Sequence, residues 1–171
     1  MTAGLFTPYP LRSLSLRNRI VVSPMCQYSS VDGFANDWHL VHLGGLAVGG
    51  AALVFTEATA VSPEGRISPH DLGIWMDEHV EMLARITQFV QGQGAHAGMQ
   101  IAHAGRKASM DAPFRGGGLL SEAEGGWSAV QAPSAIPFSP RFREPVAMSL
   151  SDITRVIDDF RSAARRVVIF R

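Results

Sequence analysis

The sequence predicts an α/β protein built on a parallel sheet. Three observations carry that expectation. The runs 20–25, 52–61 and 97–103 are continuously apolar rather than alternating, as in strands covered on both faces. Stretches with apolar residues at helical spacing separate them. Strand-type and helix-type segments therefore alternate, which is the pattern of βα units rather than of hairpins and sandwiches. The fold class read from periodicity alone leaves two options open, a doubly wound sheet and part of a (β/α)₈ barrel. No G-x-G-x-x-G follows the first apolar run, which weakens the dinucleotide-binding version of the first.

The elements follow in order. Leu5-Phe6-Thr7 and Leu14-Ser15-Leu16, separated by turn residues, predict a small hairpin ahead of the main fold. Ile20 to Met25 reads as a buried strand. Trp38 to Val48 reads as a helix with Trp38, Val41 and Leu46 inward, ended by Gly49-Gly50. Ala52 to Val61 is the second strand. Asp77 is placed to cap a helix that carries Val80, Leu83, Ile86, Phe89 and Val90, closed by Gly92 and Gly94. Ala97 to His103 is the third strand. Residues 104–148 are rich in Gly, Pro and Ser; Gly116-Gly117-Gly118 and Pro133, Pro137, Pro140 and Pro145 preclude regular structure over much of this stretch. A connection this long in a compact domain is functional or disordered. Ser149 with Asp152 resembles a capping box, ahead of a helix with Ile153, Val156, Ile157, Phe160, Ala164 and Val167 on one face.

Bulk properties exclude several function classes. The chain has 171 residues, 46% of them apolar, enough for the core of one domain or part of one. Lys+Arg and Asp+Glu both number 15, so no nucleic-acid or anionic-membrane footprint is present. No apolar run approaches the ~20 residues of a membrane span. The N-terminus lacks the basic and long apolar regions of a secretory signal. A single cysteine excludes an internal disulfide and a Cys-based zinc site. A reducing, cytoplasmic setting is the expectation.

Polar residues gather at the ends of the apolar runs. Ser23, Pro24, Met25 and Cys26 end the first, Glu57, Ala58 and Thr59 lie toward the end of the second, and Gln100 and His103 lie on the third. In a (β/α)₈ barrel functional groups occupy such positions. Each also has a plainer reading. A lone cysteine such as Cys26 is most often a small buried hydrophobe, although polar Gln27 and Tyr28 beside it imply partial exposure. Gln100 interrupts an apolar strand, and its amide either satisfies neighbouring backbone or reads a ligand with a mixed donor and acceptor edge. Tyr28 is a packed aromatic or a donor to a substrate carbonyl. His39 and His42, spaced i, i+3, share a helix face but lack a third metal ligand. His79 and His96 fall at element boundaries and are expected to be solvated. Arg106-Lys107 either attracts a nicotinamide phosphate or is a solvated loop, and the Gly triplet lacks the Lys-Ser/Thr of a phosphate loop.

One set of residues decides between the two folds. Arg17-Asn18-Arg19, Ser23-Pro24-Met25-Cys26, Tyr28, Glu57-Ala58, Gly65-Arg66-Ile67, Asp71-Leu72-Gly73-Ile74, the run from Gln100 through His103 to Lys107, and Ala132-Pro133-Ser134-Ala135 together resemble the Old Yellow Enzyme family. Its cysteine-containing ene-reductases, NADPH dehydrogenases and xenobiotic reductases are the nearest group. The resemblance runs from Leu5 to about Arg166 and implies the N-terminal part of a (β/α)₈ barrel, with residues 1–171 as the first half of an FMN-binding domain. It implies FMN held without a covalent bond, NAD(P)H as hydride donor, and transfer to the C=C bond of an α,β-unsaturated carbonyl compound. Carried over by position, Ser23, Pro24, Met25, Cys26, Ala58 and Gln100 contact FMN, Cys26 tunes its potential, and Tyr28 faces the substrate. In similar proteins the catalytic His pair and the flavin-binding arginines lie on strands beyond the last helix here. The expectation is therefore a truncated segment, inactive by itself, that binds FMN weakly and aggregates or self-associates through open barrel edges. Two other readings stand beside it: a non-catalytic half-barrel that pairs with another chain, and a fragment with no function.

Overall fold

A computed structural model describes residues 4–169. The chain begins with a hairpin of β1 (Tyr9–Leu11) and β2 (Leu14–Leu16), followed by β3 (Val21–Val22), α1 (Asp37–Val48), β4 (Leu53–Ala60), α2 (Val80–Gly92) and β5 (His96–Ala102). A long connection carries a small two-stranded parallel pair, β6 (Gln131–Ala132) and β7 (Val146–Ala147), and leads into α3 (Leu150–Ile169). Strands β3, β4 and β5 form one parallel sheet in that order. The βα alternation expected from the sequence is present. No helix among the described residues is long and apolar enough to cross a membrane.

The core lies between the helices and one face of this sheet. Leu43 and Ala47 of α1, Val54 of β4, and Leu83, Ile86 and Val90 of α2 are buried together, with Leu72, Ile74 and Ala163 closing over them. The opposite face has only a small apolar plug at its lower end. There Leu16 of the hairpin packs on Ala52 and Leu53, with Phe55 against them. Phe55 lies flat across β5 because position 98 is glycine; a Cβ there would stand 2.5 Å from the ring. Above the plug, Gln100 is exposed.

Several elements differ from expectation, each for a visible reason. The first hairpin strand is Tyr9–Leu11 rather than Leu5–Thr7, because Thr7 folds back and donates from both its N–H and hydroxyl to the Gly4 carbonyl. The first sheet strand is two residues long, since Pro24 has no N–H to continue the ladder. In α1 the inward face is His39, Leu43 and Ala47, while Trp38 and Val41 stand in solvent. The apolar spacing misled there because His39 is buried by polar partners. Asp77 caps nothing: a 3₁₀ turn from Asp77 to His79 precedes α2, and Asp77 pairs with Arg166 at 2.7 Å. His79, expected in solvent, is buried between the rings of Phe34 and Trp75 and bonds the Asp32 carbonyl. His96 is half-buried. The Ser149–Asp152 box is present: the Asp152 N–H donates to Ser149 Oγ at 3.2 Å and the Ser149 N–H to Asp152 at 2.9 Å. Helix α3 turns Val156, Phe160, Ala163 and Val167 inward, and leaves Ile153, Ile157 and Ala164 out.

Residues 104–148 are folded rather than loose. Ala108, Met110, Ala112, Val130 and Ala132 are buried beneath the connection, which carries three short 3₁₀ turns, Gly105–Lys107, Pro113–Arg115 and Glu122–Glu124.

Arg17 holds the lower end together. Its guanidinium donates to the carbonyls of Ala47 in the last turn of α1, of Ala51 just beyond that helix and of Gln93 just beyond α2, at 2.7–3.0 Å. A cation is favoured at that pole of the helix dipole. Asn18 adds a bond to the Gly50 carbonyl. Arg17→Ala is expected to destabilise the chain by about 2 kcal/mol, the scale of a lost charged hydrogen bond, read as a lower urea midpoint. An unchanged midpoint would mean that water replaces the clamp at no cost.

Candidate active site at the strand exits

Three strand exits meet above the plug. The register of β4 against β5 sets two of them: Phe55 faces Gly98, but the next pairing is Ala58 with Gln100. Thr56 and Glu57 therefore oppose the single residue Met99, which is a β-bulge. The bulge takes the Glu57 carbonyl out of the ladder. It is satisfied instead by the hydroxyls of Thr56 (3.1 Å) and Thr59 (2.9 Å), both buried. The bulge also turns the Glu57 side chain toward β3, where it is 3% exposed.

A carboxylate buried that deeply needs donors. The Gln27 N–H supplies one, at 2.9 Å to Oε2. Oε1 stands 3.2 Å from His39 Nε2, close enough for charge interaction but outside hydrogen-bonding geometry. Its other nitrogen, Nδ1, accepts the Asn36 N–H at 3.1 Å, as the reciprocal half of the α1 capping box, while Nε2 faces Glu57 and lies 3.3 Å from the Ser30 hydroxyl. His39 thus joins the start of α1, the β4 bulge and the exit of β3. Both of its nitrogens are engaged within the protein, so it makes no metal pair with His42.

The β3 exit is a tight turn. Gln27 anchors it through Met25 O (2.8 Å), Trp38 Nε1 (3.2 Å) and the Ser29 hydroxyl on its own carbonyl (3.0 Å). Tyr28 sits at φ 51°, a left-handed conformation uncommon for a non-glycine residue and stable only where surrounding contacts over-determine it. In that conformation its hydroxyl lies beside the Cys26 thiol, and its ring meets Phe114 edge-on, centroids 6.0 Å apart. The Ala58 backbone lies beside the same sulfur. Cys26, Ala58 and Gln100 thus line one continuous wall, with Ser23, Pro24 and Met25 along its β3 side. Gln100 needs no buried partner, since its face of the strand is open.

Charge at this wall is one-sided. Asp71, 2% exposed, accepts from the N–H groups of Ile67 and Ser68 and from the Ser68 hydroxyl, yet burial pushes its pKa up to about 6. Burial first, then Asp71 and Glu57, push the Cys26 thiol up. Burial and the neighbouring Cys26 and Asp71 push the Tyr28 hydroxyl up to about 12. Both groups are therefore neutral donors near pH 7.

His103 lies beyond the wall and accepts the Gly105 N–H, while burial lowers its pKa. Arg106 bonds Ser134 and Lys107 lies over the Phe138 ring at 4.1 Å, so both hold the long connection in place. Phe114 is a site residue that sequence reasoning did not single out; His39 was read only with His42 as a metal pair, and Asp71 only as part of a family marker. Charged Glu57 within an apolar strand was the available signal for the network beneath the turn.

A sequence model of the NADH:flavin oxidoreductase / NADH oxidase family matches residues 4–169. The chain belongs to that family. An NADPH dehydrogenase of Geobacillus sp. (strain WCH70) is 44% identical over 168 residues, which cover 97% of this chain and 45% of that protein. An NADH:flavin oxidoreductase of Gibberella zeae is 43% identical over 167 residues, 96% of this chain and 40% of that protein. Among solved structures, morphinone reductase superposes with a TM-score of 0.82 at 25% identity, over 99% of this chain and 46% of its own. Old Yellow Enzyme from Pichia sp. gives 0.79 at 27% identity, over 96% and 42%. The chain spans less than half the length of these relatives. Its three βα units, β3–α1, β4–α2 and β5–α3, are the N-terminal part of a (β/α)₈ barrel.

The raised Asp71 pKa has a stability consequence. The folded state binds a proton up to about pH 6, whereas an unfolded Asp releases it near 3.9. Stability is thus greatest below the lower value and falls as pH rises through that window, by roughly 2–3 kcal/mol. Asp71→Asn is expected to remove this component of the pH slope of the urea midpoint between pH 4 and 6, whatever its constant offset. Parallel slopes for the two proteins would contradict it.

Proposed function

We propose that this chain forms the flavin-ring wall of an FMN-dependent oxidoreductase that moves hydride from NAD(P)H, by way of the flavin, to the C=C bond of an α,β-unsaturated carbonyl compound. The observation that carries the reading is the pairing of Ala58 with Gln100 beside Cys26. It sets a mixed donor–acceptor amide and a weak S–H donor along an open wall whose middle residue is only a methyl group.

The donor set fits a flat heteroaromatic ring with alternating donors and acceptors on one edge. Gln100 offers both a carbonyl and an amide N–H₂ to such an edge, and Ala58 leaves room for the ring to approach the backbone. Ser23, Pro24 and Met25 border it from β3. When bound, FMN supplies the two-electron chemistry and the protein supplies orientation and electrostatics. The Cys26 S–H is neutral and adjusts the flavin's electron affinity as a dipole rather than as a charge. Tyr28, protonated throughout the physiological range, serves as a donor to a substrate carbonyl and not as a base. Morphinone reductase, one of the structural relatives, has been solved in complex with tetrahydroNAD, which supports a nicotinamide as donor.

Wall residues alone hold flavin weakly. Phosphate contacts worth ~1.5–3 kcal/mol each are not among the groups at these three exits. Flavin fluorescence titration of the 171-residue chain is expected to show saturable quenching at high FMN concentration. Gln100→Ala should weaken it about tenfold, the equivalent of one good hydrogen bond. Identical titrations of the two proteins would contradict the assignment of Gln100.

A second reading, a half-barrel that associates with another chain, draws support from the sheet. Within the described residues β3 and β5 each pair only with β4, and Val21, Met25 and Val168 are exposed. Open edges and an apolar interior face favour pairing. Sedimentation velocity of the isolated chain is expected to show species larger than a monomer. A soluble monomer with two-state unfolding would overturn that expectation.

A further inference from the structure

Beneath the wall lies a buried polar layer. Glu57 is buried, its Oε2 accepts the Gln27 N–H at 2.9 Å, and its Oε1 faces His39 Nε2 at 3.2 Å. Gln27 directly follows Cys26, and Ala58, which lies beside the Cys26 sulfur, directly follows Glu57. One residue therefore fixes the thiol from two sides: through the turn it anchors, and through the bulge it occupies. We propose that Glu57 is a positioning residue for Cys26, holding the Cys26–Tyr28 turn through the Gln27 amide and setting the reactivity of the thiol by the negative charge it keeps behind the sulfur.

The groups that face this thiol are few. Tyr28 from its own turn lies beside the sulfur and favours the thiolate. Glu57 from β4 and Asp71 from the segment after it disfavour the thiolate, after burial itself. His39 and His42 of α1 stand on the far side of Glu57, lining the crevice under the turn. Arg66 lies beyond Asp71 and stacks between the rings of Trp75 and Trp127, each 5.3 Å away. No cation directly faces the sulfur among the described residues. The arrangement protects a half-buried cysteine from ionising, and so from alkylation and oxidation, which both proceed through the thiolate. The protection acts on the thiol alone and holds whether or not the wall binds flavin.

Cys26 is the only cysteine, so alkylation by iodoacetamide is read unambiguously from the mass of the intact, flavin-free chain. Its rate is measured from pH 6 to 10 for the wild type, Glu57→Gln, Tyr28→Phe and the double variant. Glu57→Gln keeps an acceptor for the Gln27 amide but removes the charge. Its profile is expected to move to lower pH, with alkylation at pH 8 about threefold faster, because the gain in thiolate fraction exceeds the lower nucleophilicity of a less basic thiolate. Tyr28→Phe is expected to slow alkylation, and to do so equally in the Glu57→Gln background. A Glu57→Gln profile that overlies the wild type overturns the proposal. So does a faster variant in which Tyr28→Phe no longer has any effect, since the turn would then have opened and the thiol simply been released into water.

Discussion

The structure depends on one buried carboxylate. Glu57 sits in the second strand of a sheet whose helix-facing side is otherwise apolar, and at 3% exposure it must be given donors. The Gln27 amide donates to one oxygen and the His39 ring stands 3.2 Å from the other, and each belongs to a different element. The exit of β3, the first turn of α1 and the bulge of β4 are thereby tied to one point. Without the bulge Glu57 would point elsewhere, and Ala58 would lose its pairing with Gln100.

The wall inherits its properties from that point. Tyr28 holds a left-handed backbone conformation because the residues on either side of it are fixed, Gln27 by Glu57, Met25 and Trp38, and Ser29 by the Asn36 side chain. That conformation brings the Tyr28 hydroxyl to the Cys26 sulfur. Burial first, and after it the neighbouring carboxylates, then keep both groups protonated, so the wall presents neutral donors to whatever occupies it. Arg17 does the equivalent work at the opposite end of the sheet, where it gathers the carbonyls beyond α1 and α2 and seats the hairpin plug. A rigid lower end and an over-determined upper end leave the strand exits little freedom.

Much of this was legible in the sequence, unevenly. The three apolar runs located β4 and β5 closely, because strands covered by helices leave an uninterrupted apolar record. The Ser149–Asp152 box located the start of α3, because capping is a local interaction. Helix faces were less legible. In α1 the buried histidine outranks Trp38 and Val41, since polar partners supplied from β4 and the β3 turn make His39 the inward residue. The strand at residues 20–25 was overestimated because apolar character persists past Pro24, where the ladder cannot. Of the expected wall residues, Ala58 and Gln100 pair across β4 and β5 and Ser23, Pro24, Met25 and Cys26 follow β3, whereas Asp71 and Phe114 reach the site from connections that carry no periodic signal.

The amide of Gln27 tests the central claim most directly. Its hydrogen exchange, resolved against that of the β4–β5 ladder at Leu53–Phe55, reports whether Glu57 holds the turn. In the wild type the Gln27 amide should be protected as strongly as its carboxylate bond implies. In Glu57→Ala it should exchange at the rate of an open loop while the ladder stays protected. Protection of Gln27 that survives the loss of Glu57 would show that the turn is held by its other contacts, and that the carboxylate is not the point on which the site depends.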